Sequence, residues 1–388
     1  MSERTFEIES TGKSSNRCTE DMRDAARYDR RRFMKVCAAT TGVALAGNLA
    51  GGAIAKDEQP DHLVRFGPTD LYVTRYCQGT AFRRVHRTDN PDARRILHKC
   101  IDVGINFFDS AEAYGWGGSE DVLGKVIAGQ RDKVIICTKA APSLPPKNDP
   151  NYNKFKYGDE KVVFTRETLF HKAEGSLKRL GTDYLDLFLL HDPDYVTPPE
   201  EIIDSMDALV RAGKIRYWGV SNFKPDQVAK FYELSAANKD KSPIVGIEDG
   251  YSIVMRERLE PDMFQLLRKT KLGLISFSPQ DAGRISPGRS KQEELKVVGR
   301  TKMSVVRALD RVARDLGATR SQVCIAWVLS HPEVTTVLGG AESPAHVVDN
   351  FGGTRLQLPP ESLAILKAVS DPYMVYRNRK MKGNKTNQ

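Results

Sequence analysis

From about residue 71 onward, short apolar runs alternate with amphipathic stretches, and this alternation permits only a few folds. Apolar runs of this length predict β-strands, and apolar residues spaced three or four apart predict one-sided helices between them. The predicted strands are residues 71–77, 106–108, 134–138, 185–190, 217–220, 244–247, 274–277 and 336–338. The predicted helices are residues 92–103, 119–127, 166–180, 199–212, 225–237, 261–270, 302–316, 321–330 and 344–350. Eight strands interleaved with helices predict an α/β fold, the (β/α)8 TIM barrel.

A doubly wound open sheet is the alternative for a chain in which strands and helices alternate. In the dinucleotide-binding form of that sheet, a glycine-rich phosphate-binding turn follows the first strand. The residues after the first predicted strand, Gln78-Gly79-Thr80-Ala81-Phe82, do not match that turn. We therefore expect the closed barrel.

The first 55 residues have the features of an export signal. The segment Asp29-Arg30-Arg31-Arg32-Phe33-Met34-Lys35 precedes a weakly apolar run rich in Ala, Gly and Thr. This arrangement resembles a twin-arginine (Tat) signal, and Ala53-Ile54-Ala55 places small residues where such a signal is cleaved. The alternative is an amphipathic N-terminal helix. We expect a leader over residues 1–55, a barrel over residues 56–372, and export by the twin-arginine machinery to the periplasm or the medium.

The basic charge of the chain is concentrated at its C-terminus. The formal net charge is +9, and residues 373–388 contain five basic residues and no acidic one. Nucleic-acid binding would call for a patterned basic patch with interleaved aromatic residues, which this segment lacks. We therefore expect a basic flexible tail over residues 373–388 and no nucleic-acid partner.

A polar residue or a glycine follows almost every predicted strand. In chain order these residues are Asp109, Lys139, His191, Ser221, Asn222, Glu248, Ser278, Gly339 and Gly340. Any one of them could be a helix cap or a solvated loop residue. The carboxyl ends of the strands meet at one mouth of a barrel, so we expect the whole set to converge on an active site there.

The residues around these strand ends resemble the aldo-keto reductase family. The resemblance rests on four ordered blocks, Phe107–Gly115, Cys137–Lys139, Asp183–His191 and Gly219–Phe223, and extends from about Val64 to about Val369. It implies a nicotinamide-dependent oxidoreductase that moves hydride between its cofactor and an aldehyde, ketone or sugar carbonyl.

The resemblance also implies roles for four of these residues. Tyr114 would be the general acid, and a neighbouring Lys139 would lower the pKa of its hydroxyl. Asp109 would hold Lys139 charged, and His191 would orient the substrate oxygen.

For the cofactor, the resemblance implies NADP, with NAD as the alternative. Ser221, Asn222 and Glu248 correspond to the carboxamide-binding positions, and Tyr251 to the aromatic residue stacked on the nicotinamide. Glutamine is usual at position 248, and an ionised glutamate accepts hydrogen bonds but cannot donate one. The residues that correspond to pyrophosphate and adenosine contacts are Ser278, Gly340, His346 and Asn350.

The sequence leaves the substrate and the oligomeric state open, and Trp116 is a candidate for the substrate pocket. A cofactor-binding regulatory or interaction module with weak or no turnover is the alternative function. A metal-dependent hydrolase is a third, but the chain has no HxH or HExxH spacing, so we expect no metal site.

Overall fold

The computed structural model describes residues 63–82, 90–142, 163–288 and 290–385. The predicted leader, with its export motif, lies outside these residues. Within the described ranges, no helix combines the length and the apolar character needed to cross a membrane.

Eight parallel strands close into a barrel, which confirms the predicted fold. They are β3 (Tyr76–Gly79), β4 (Phe107–Asp109), β5 (Ile135–Ala140), β6 (Leu185–Leu190), β7 (Ile215–Ser221), β8 (Gly246–Gly250), β9 (Gly273–Phe277) and β10 (Thr336–Gly339). Each strand pairs with the next in sequence, and β10 pairs with β3 to complete the ring. The sequence is therefore wound once around the barrel, and all strand carboxyl ends lie at one mouth.

The first predicted strand is two strands in the structure. Its beginning forms β2 (Tyr72–Thr74), which pairs antiparallel with β1 (Leu63–Arg65) in a separate hairpin. Only β3, which begins at Tyr76, enters the barrel. The apolar run is continuous, so periodicity alone did not reveal the break between the hairpin and the barrel.

Eleven α-helices lie in the described part of the chain. They are α1 (Pro91–Asp102), α2 (Gly118–Ile127), α3 (Arg166–Leu180), α4 (Pro199–Arg211), α5 (Pro225–Ala237), α6 (Asp262–Thr270), α7 (Lys291–Val298), α8 (Met303–Asp315), α9 (Arg320–Leu329), α10 (Pro344–Gly352) and α11 (Pro360–Lys385). Helices α7 and α11 were not predicted. The helix α7 lies in the long connection after β9.

The C-terminal segment that we expected to be a flexible tail is helical as far as Lys385. Met374 is buried, and the Arg377 guanidinium donates hydrogen bonds to the Val254 carbonyl and the Glu257 carboxylate, both at 2.6 Å. The basic run was interpreted as solvated, but these contacts attach its first part to the barrel.

Alternation along the strands produces two apolar cores. Phe107 on β4 and Leu187 on β6 belong to the cluster inside the barrel. Their neighbours Phe108 and Phe188 belong to the larger cluster that includes residues of the helices. Successive side chains of a strand point to opposite faces, so strands buried on both faces are apolar along their length.

The barrel interior is tightly packed around Phe66, which is fully buried and makes an edge contact with Phe107 at 6.1 Å between ring centroids. A Cβ atom at Gly273 would lie 2.8 Å from carbons of the Phe66 ring. We expect Gly273→Ala to lower the free energy of unfolding by about 2 kcal/mol through overpacking. Denaturant titration measures this loss. Gly340→Ala is the matched control, because no atom lies within 4 Å of its new Cβ.

Candidate active site

A cleft of about 700 Å³ runs from the barrel mouth toward α10. Asp109, Ser221 and Glu248 line its inner part, beside Tyr114 and His191. Its outer part continues between the segment that follows β9 and the segment that follows β10. The barrel therefore brings together residues from distant parts of the sequence, as their positions at strand ends predicted.

Lys139 connects two of the other predicted catalytic residues. Its side chain is completely buried, and its ammonium group donates a hydrogen bond to the Asp109 carboxylate. It also donates to the Ser110 carbonyl at 3.0 Å and to the Tyr114 hydroxyl at 3.3 Å. The Tyr114 and His191 rings meet edge to face, with their centroids 5.6 Å apart. All four predicted residues thus lie together.

The charge states of Lys139 and Tyr114 follow from their surroundings. Burial alone would lower the pKa of Lys139, but the Asp109 carboxylate, with a smaller contribution from the Glu248 carboxyl group, outweighs it and raises that pKa well above its usual value. Burial raises the pKa of Tyr114, and Lys139 offsets only part of the rise. The Lys139 charge lowers the pKa of Tyr114, as we expected, but burial raises that pKa by more. Tyr114 is therefore a neutral phenol with a proton to donate.

His191 is held as a neutral imidazole. Burial, with a smaller contribution from the Lys139 charge, lowers the pKa of His191 to about 3. Its backbone N–H donates to the Ala140 carbonyl at 2.8 Å, and its own carbonyl accepts from the Asn222 side chain at 3.0 Å. Its Nδ1 atom is buried and has no hydrogen-bond partner among the described residues.

The predicted carboxamide-binding residues lie on adjacent strands. Ser221 and Glu248 are register partners on β7 and β8. Asn222 follows with a left-handed φ of 63°, and its N–H donates to the Glu248 carbonyl at 3.1 Å. Oε2 of Glu248 lies 3.4 Å from the Lys139 ammonium. Glu248 thus belongs both to the wall of the cleft and to the charge cluster.

The outer part of the cleft contains the other predicted cofactor residues. Ser278, Gly340, His346 and Asn350 all line it. The Asn350 side chain donates to the Tyr76 hydroxyl at 3.1 Å and accepts from Gln280 at 3.2 Å.

The charged residues of this outer part are mostly acidic. Glu342 and Asp349 line the cleft beside His346, whereas its described lining contains no lysine or arginine. A 2′-phosphate would therefore find few charge-assisted donors among these residues.

The structure corrects the prediction for Tyr251. Its side chain is fully buried away from the cleft, stacked on Trp327 with centroids 5.3 Å apart, and its hydroxyl donates to Glu260. The aromatic residue that lines the cleft is Phe277, at the end of β9. Phe277 ends a predicted strand, so the strand-end rule that selected Ser278 could have found it.

The prediction that Trp116 lines the substrate pocket stays a prediction. Trp116 lies in the turn before α2, with a left-handed φ of 47°, and is not among the described residues that line the cleft. Its position two residues after Tyr114 suggested a pocket residue, and the backbone φ is positive at both Gly115 and Trp116.

The sequence profile of the Aldo/keto reductase family matches residues 77–371, which include the barrel strands except for Tyr76 and all described residues that line the cleft. The chain belongs to this family. Among curated proteins, it is 31% identical over 320 residues to an uncharacterized oxidoreductase of Bacillus subtilis, YrpG, covering 78% of this chain and 94% of YrpG. It is 27% identical over 323 residues to a probable voltage-gated potassium channel subunit beta of Oryza sativa, covering 78% and 94% of the two chains.

Solved aldo-keto reductases share the fold. A holo-form enzyme from Bacillus halodurans superposes with a TM-score of 0.65 at 25% identity, covering 79% of this chain and 95% of that one. A thermostable family member in complex with the inhibitor epalrestat gives a TM-score of 0.63 at 27% identity, with 79% and 99% covered. The similarity extends over nearly the full length of both relatives.

Proposed function

We propose that this aldo-keto reductase transfers hydride between a nicotinamide cofactor and an aldehyde, ketone or sugar carbonyl, with Tyr114 as the general acid. One observation carries the proposal: a neutral tyrosine hydroxyl lies 3.3 Å from a buried ammonium group at the inner end of a long cleft. Three buried polar atoms without described partners, on Asp109, His191 and Glu248, lie at the same end. Such atoms suit a site completed by bound molecules.

The cofactor would supply the hydride, and the residues of the chain would handle the proton. A carbonyl oxygen gains negative charge as hydride reaches its carbon, and Tyr114 can donate its proton to that oxygen. The Lys139 ammonium then stabilises the phenolate that remains, while Asp109 fixes the ammonium in place. His191 is neutral, so it can donate one hydrogen bond to the substrate oxygen without adding charge.

The cofactor would extend along the cleft from Ser221 and Asn222 to the N-terminus of α10. That terminus suits a phosphate, because free backbone N–H groups and the helix dipole favour an anion there. The family resemblance favours NADP, and the Glu342 and Asp349 carboxylates make NAD the alternative. Fluorescence titration of the protein with each nucleotide decides between them. Tighter binding of NADP supports NADP as the cofactor, and tighter binding of NAD supports NAD instead.

We further propose that residues 1–55 direct export by the twin-arginine route and that the protein acts in the periplasm or the medium. The sequence Arg30-Arg31 with Phe33 and Lys35 supports this proposal. The double variant Arg30→Lys, Arg31→Lys keeps the charge of the segment but removes the arginine pair of the motif. We therefore expect the variant to remain in the cytoplasm while the wild type is exported. Fractionation followed by immunoblotting measures the distribution. Equal export of both proteins would rule out the twin-arginine assignment.

A screen of the purified protein tests the proposed activity. Reduced nicotinamide cofactor is mixed with a panel of aldehydes, ketones and sugars, and the loss of its absorbance is followed. We expect cofactor oxidation with at least one member of the panel, and no oxidation in the absence of substrate.

A regulatory or interaction module is the second candidate function. The observation behind it is the similarity to a protein named as a probable potassium channel subunit beta. In that case the protein would bind cofactor but show no hydride transfer in a single turnover. The complete set of Asp109, Tyr114, Lys139 and His191 favours turnover.

A further inference from the structure

Two buried carboxyl groups face a single ammonium group at the barrel mouth. Asp109 is fully buried, Glu248 is 2% exposed, and a carboxylate oxygen of one lies within 4.8 Å of a carboxylate oxygen of the other. Lys139 donates a hydrogen bond to Asp109 and lies 3.4 Å from Glu248 without hydrogen-bond geometry. If both acids were ionised, this buried cluster would carry one uncompensated negative charge.

The other titratable groups that face Glu248 do not supply the missing positive charge. Glu248 interacts electrostatically with groups on or after β3, β4 and β5, namely Cys77, Asp109, Tyr114, Cys137 and Lys139. Burial raises the pKa of the Cys77 and Cys137 thiols well above their usual value, so both stay neutral. The neighbouring strand ends contribute Ser221 from β7 and Ser276 and Phe277 from β9, which have no charge.

The protonated form of Glu248 is therefore favoured when no further cation is present. Burial and the facing Asp109 carboxylate raise the pKa of Glu248 well above its usual value, and Lys139 offsets only part of the rise. Its Oε2 atom is buried and makes no hydrogen bond to any described residue. An added positive charge nearby would reverse this balance and favour the ionised form.

Glu248 lies where such a charge would arrive under the proposed function. It lines the cleft together with Tyr114, His191 and Phe277, and it is the register partner of Ser221. A ring held by Ser221 and Asn222 therefore comes close to Glu248. The nicotinamide ring is positively charged in the oxidised cofactor and uncharged in the reduced one.

We propose that Glu248 couples proton binding to the redox state of the bound cofactor, being ionised beside the oxidised form and protonated beside the reduced form. This inference rests on the proposed function. As the oxidised ring accepts a hydride, which brings two electrons and one hydrogen nucleus, its positive charge is lost. Glu248 then takes one proton from water, and the net charge of the cluster and ring stays constant. In the reverse direction Glu248 returns that proton to water.

The coupling sets the preference of the site for one redox form. Raising the pH favours the ionised acid, so the oxidised cofactor is bound more tightly relative to the reduced one. With a glutamine at this position, the ratio of the dissociation constants of the two forms would not depend on pH. Glu248 therefore makes the direction of hydride transfer sensitive to pH at the level of binding.

Binding measurements on the full chain test the coupling separately from turnover. The dissociation constants of the oxidised and reduced cofactor are measured by fluorescence between about pH 6 and about pH 9, for the wild type and for Glu248→Gln. One coupled proton changes an affinity about tenfold per pH unit. We expect the ratio of the reduced-form to the oxidised-form constant to rise at least about tenfold in the wild type and less than about twofold in the variant.

Glu342→Gln is the matched control, because it makes the same substitution at the outer end of the cleft. We expect it to affect both forms equally and to keep the rise with pH. The coupling is overturned if the wild-type ratio changes less than about threefold, or if Glu248→Gln shows the same rise. If neither form of the cofactor binds, the proposed function fails as well. Binding of both forms with a constant ratio removes only the role of Glu248.

Discussion

Replacing Tyr114 by Phe is expected to slow single-turnover hydride transfer about a thousandfold, because the variant has no proton to donate to the carbonyl oxygen. The hydroxyl is the only polar atom that this change removes, and the hydroxyl accepts a hydrogen bond from Lys139 at 3.3 Å. Cofactor affinity should change less than about threefold, since proton donation acts in the transition state. Rapid mixing of the protein–cofactor complex with substrate measures the rate.

Tyr251→Phe is the matched control for this variant. It removes a hydroxyl that is bonded to Glu260, outside the cleft. Its single-turnover rate should stay within about twofold of the wild type, although its stability can fall by about 1 kcal/mol with the lost hydrogen bond. A similar fall in rate for both variants would contradict the assignment of Tyr114 and the correction of Tyr251.

Replacing Lys139 by Met is expected to damage both stability and activity. The change leaves the Asp109 and Glu248 carboxyl groups buried without their cation, and breaking such a buried pair costs about 3–5 kcal/mol. The rate should also fall about a thousandfold, because nothing remains to stabilise the Tyr114 phenolate. Denaturant titration and single-turnover kinetics measure the two effects.

The double variant Lys139→Met, Asp109→Asn separates the two effects. Removing the uncompensated carboxylate should restore about 2 kcal/mol of stability, because a neutral amide is cheaper to bury than a charge. The rate should stay low, since the ammonium group is still missing. Recovery of the rate would show that Lys139 acts only by stabilising the fold.

The fold was predictable from sequence where one pattern decided it. The strand β6, Leu185–Leu190, was predicted at its observed bounds. A short apolar run lies there between a predicted helix and the polar residue His191, and both neighbours mark where the strand begins and ends. The run at residues 71–77 was predicted as one strand, but it contains a hairpin strand followed by the beginning of a barrel strand. Periodicity reports burial, and both strands have buried residues.

The site was predictable where residues come from strand ends. Asp109, Lys139, His191 and Glu248 converge because parallel strands end at the same mouth. Tyr251 lies beyond the end of β8, where the local turn decides the direction of a side chain and strand periodicity no longer applies. The buried charge balance around Glu248 was also out of reach, because it depends on distances between three different strands.

Transfer of label from the cofactor to the substrate tests the central claim most directly. The full chain is loaded with reduced cofactor that carries deuterium at the transferable ring position, and an accepted carbonyl substrate is added in a single turnover. We predict that mass spectrometry finds the deuterium on the carbinol carbon of the product, and that Tyr114→Phe suppresses its appearance. Bound cofactor with no label in any product would contradict the account and favour the interaction module.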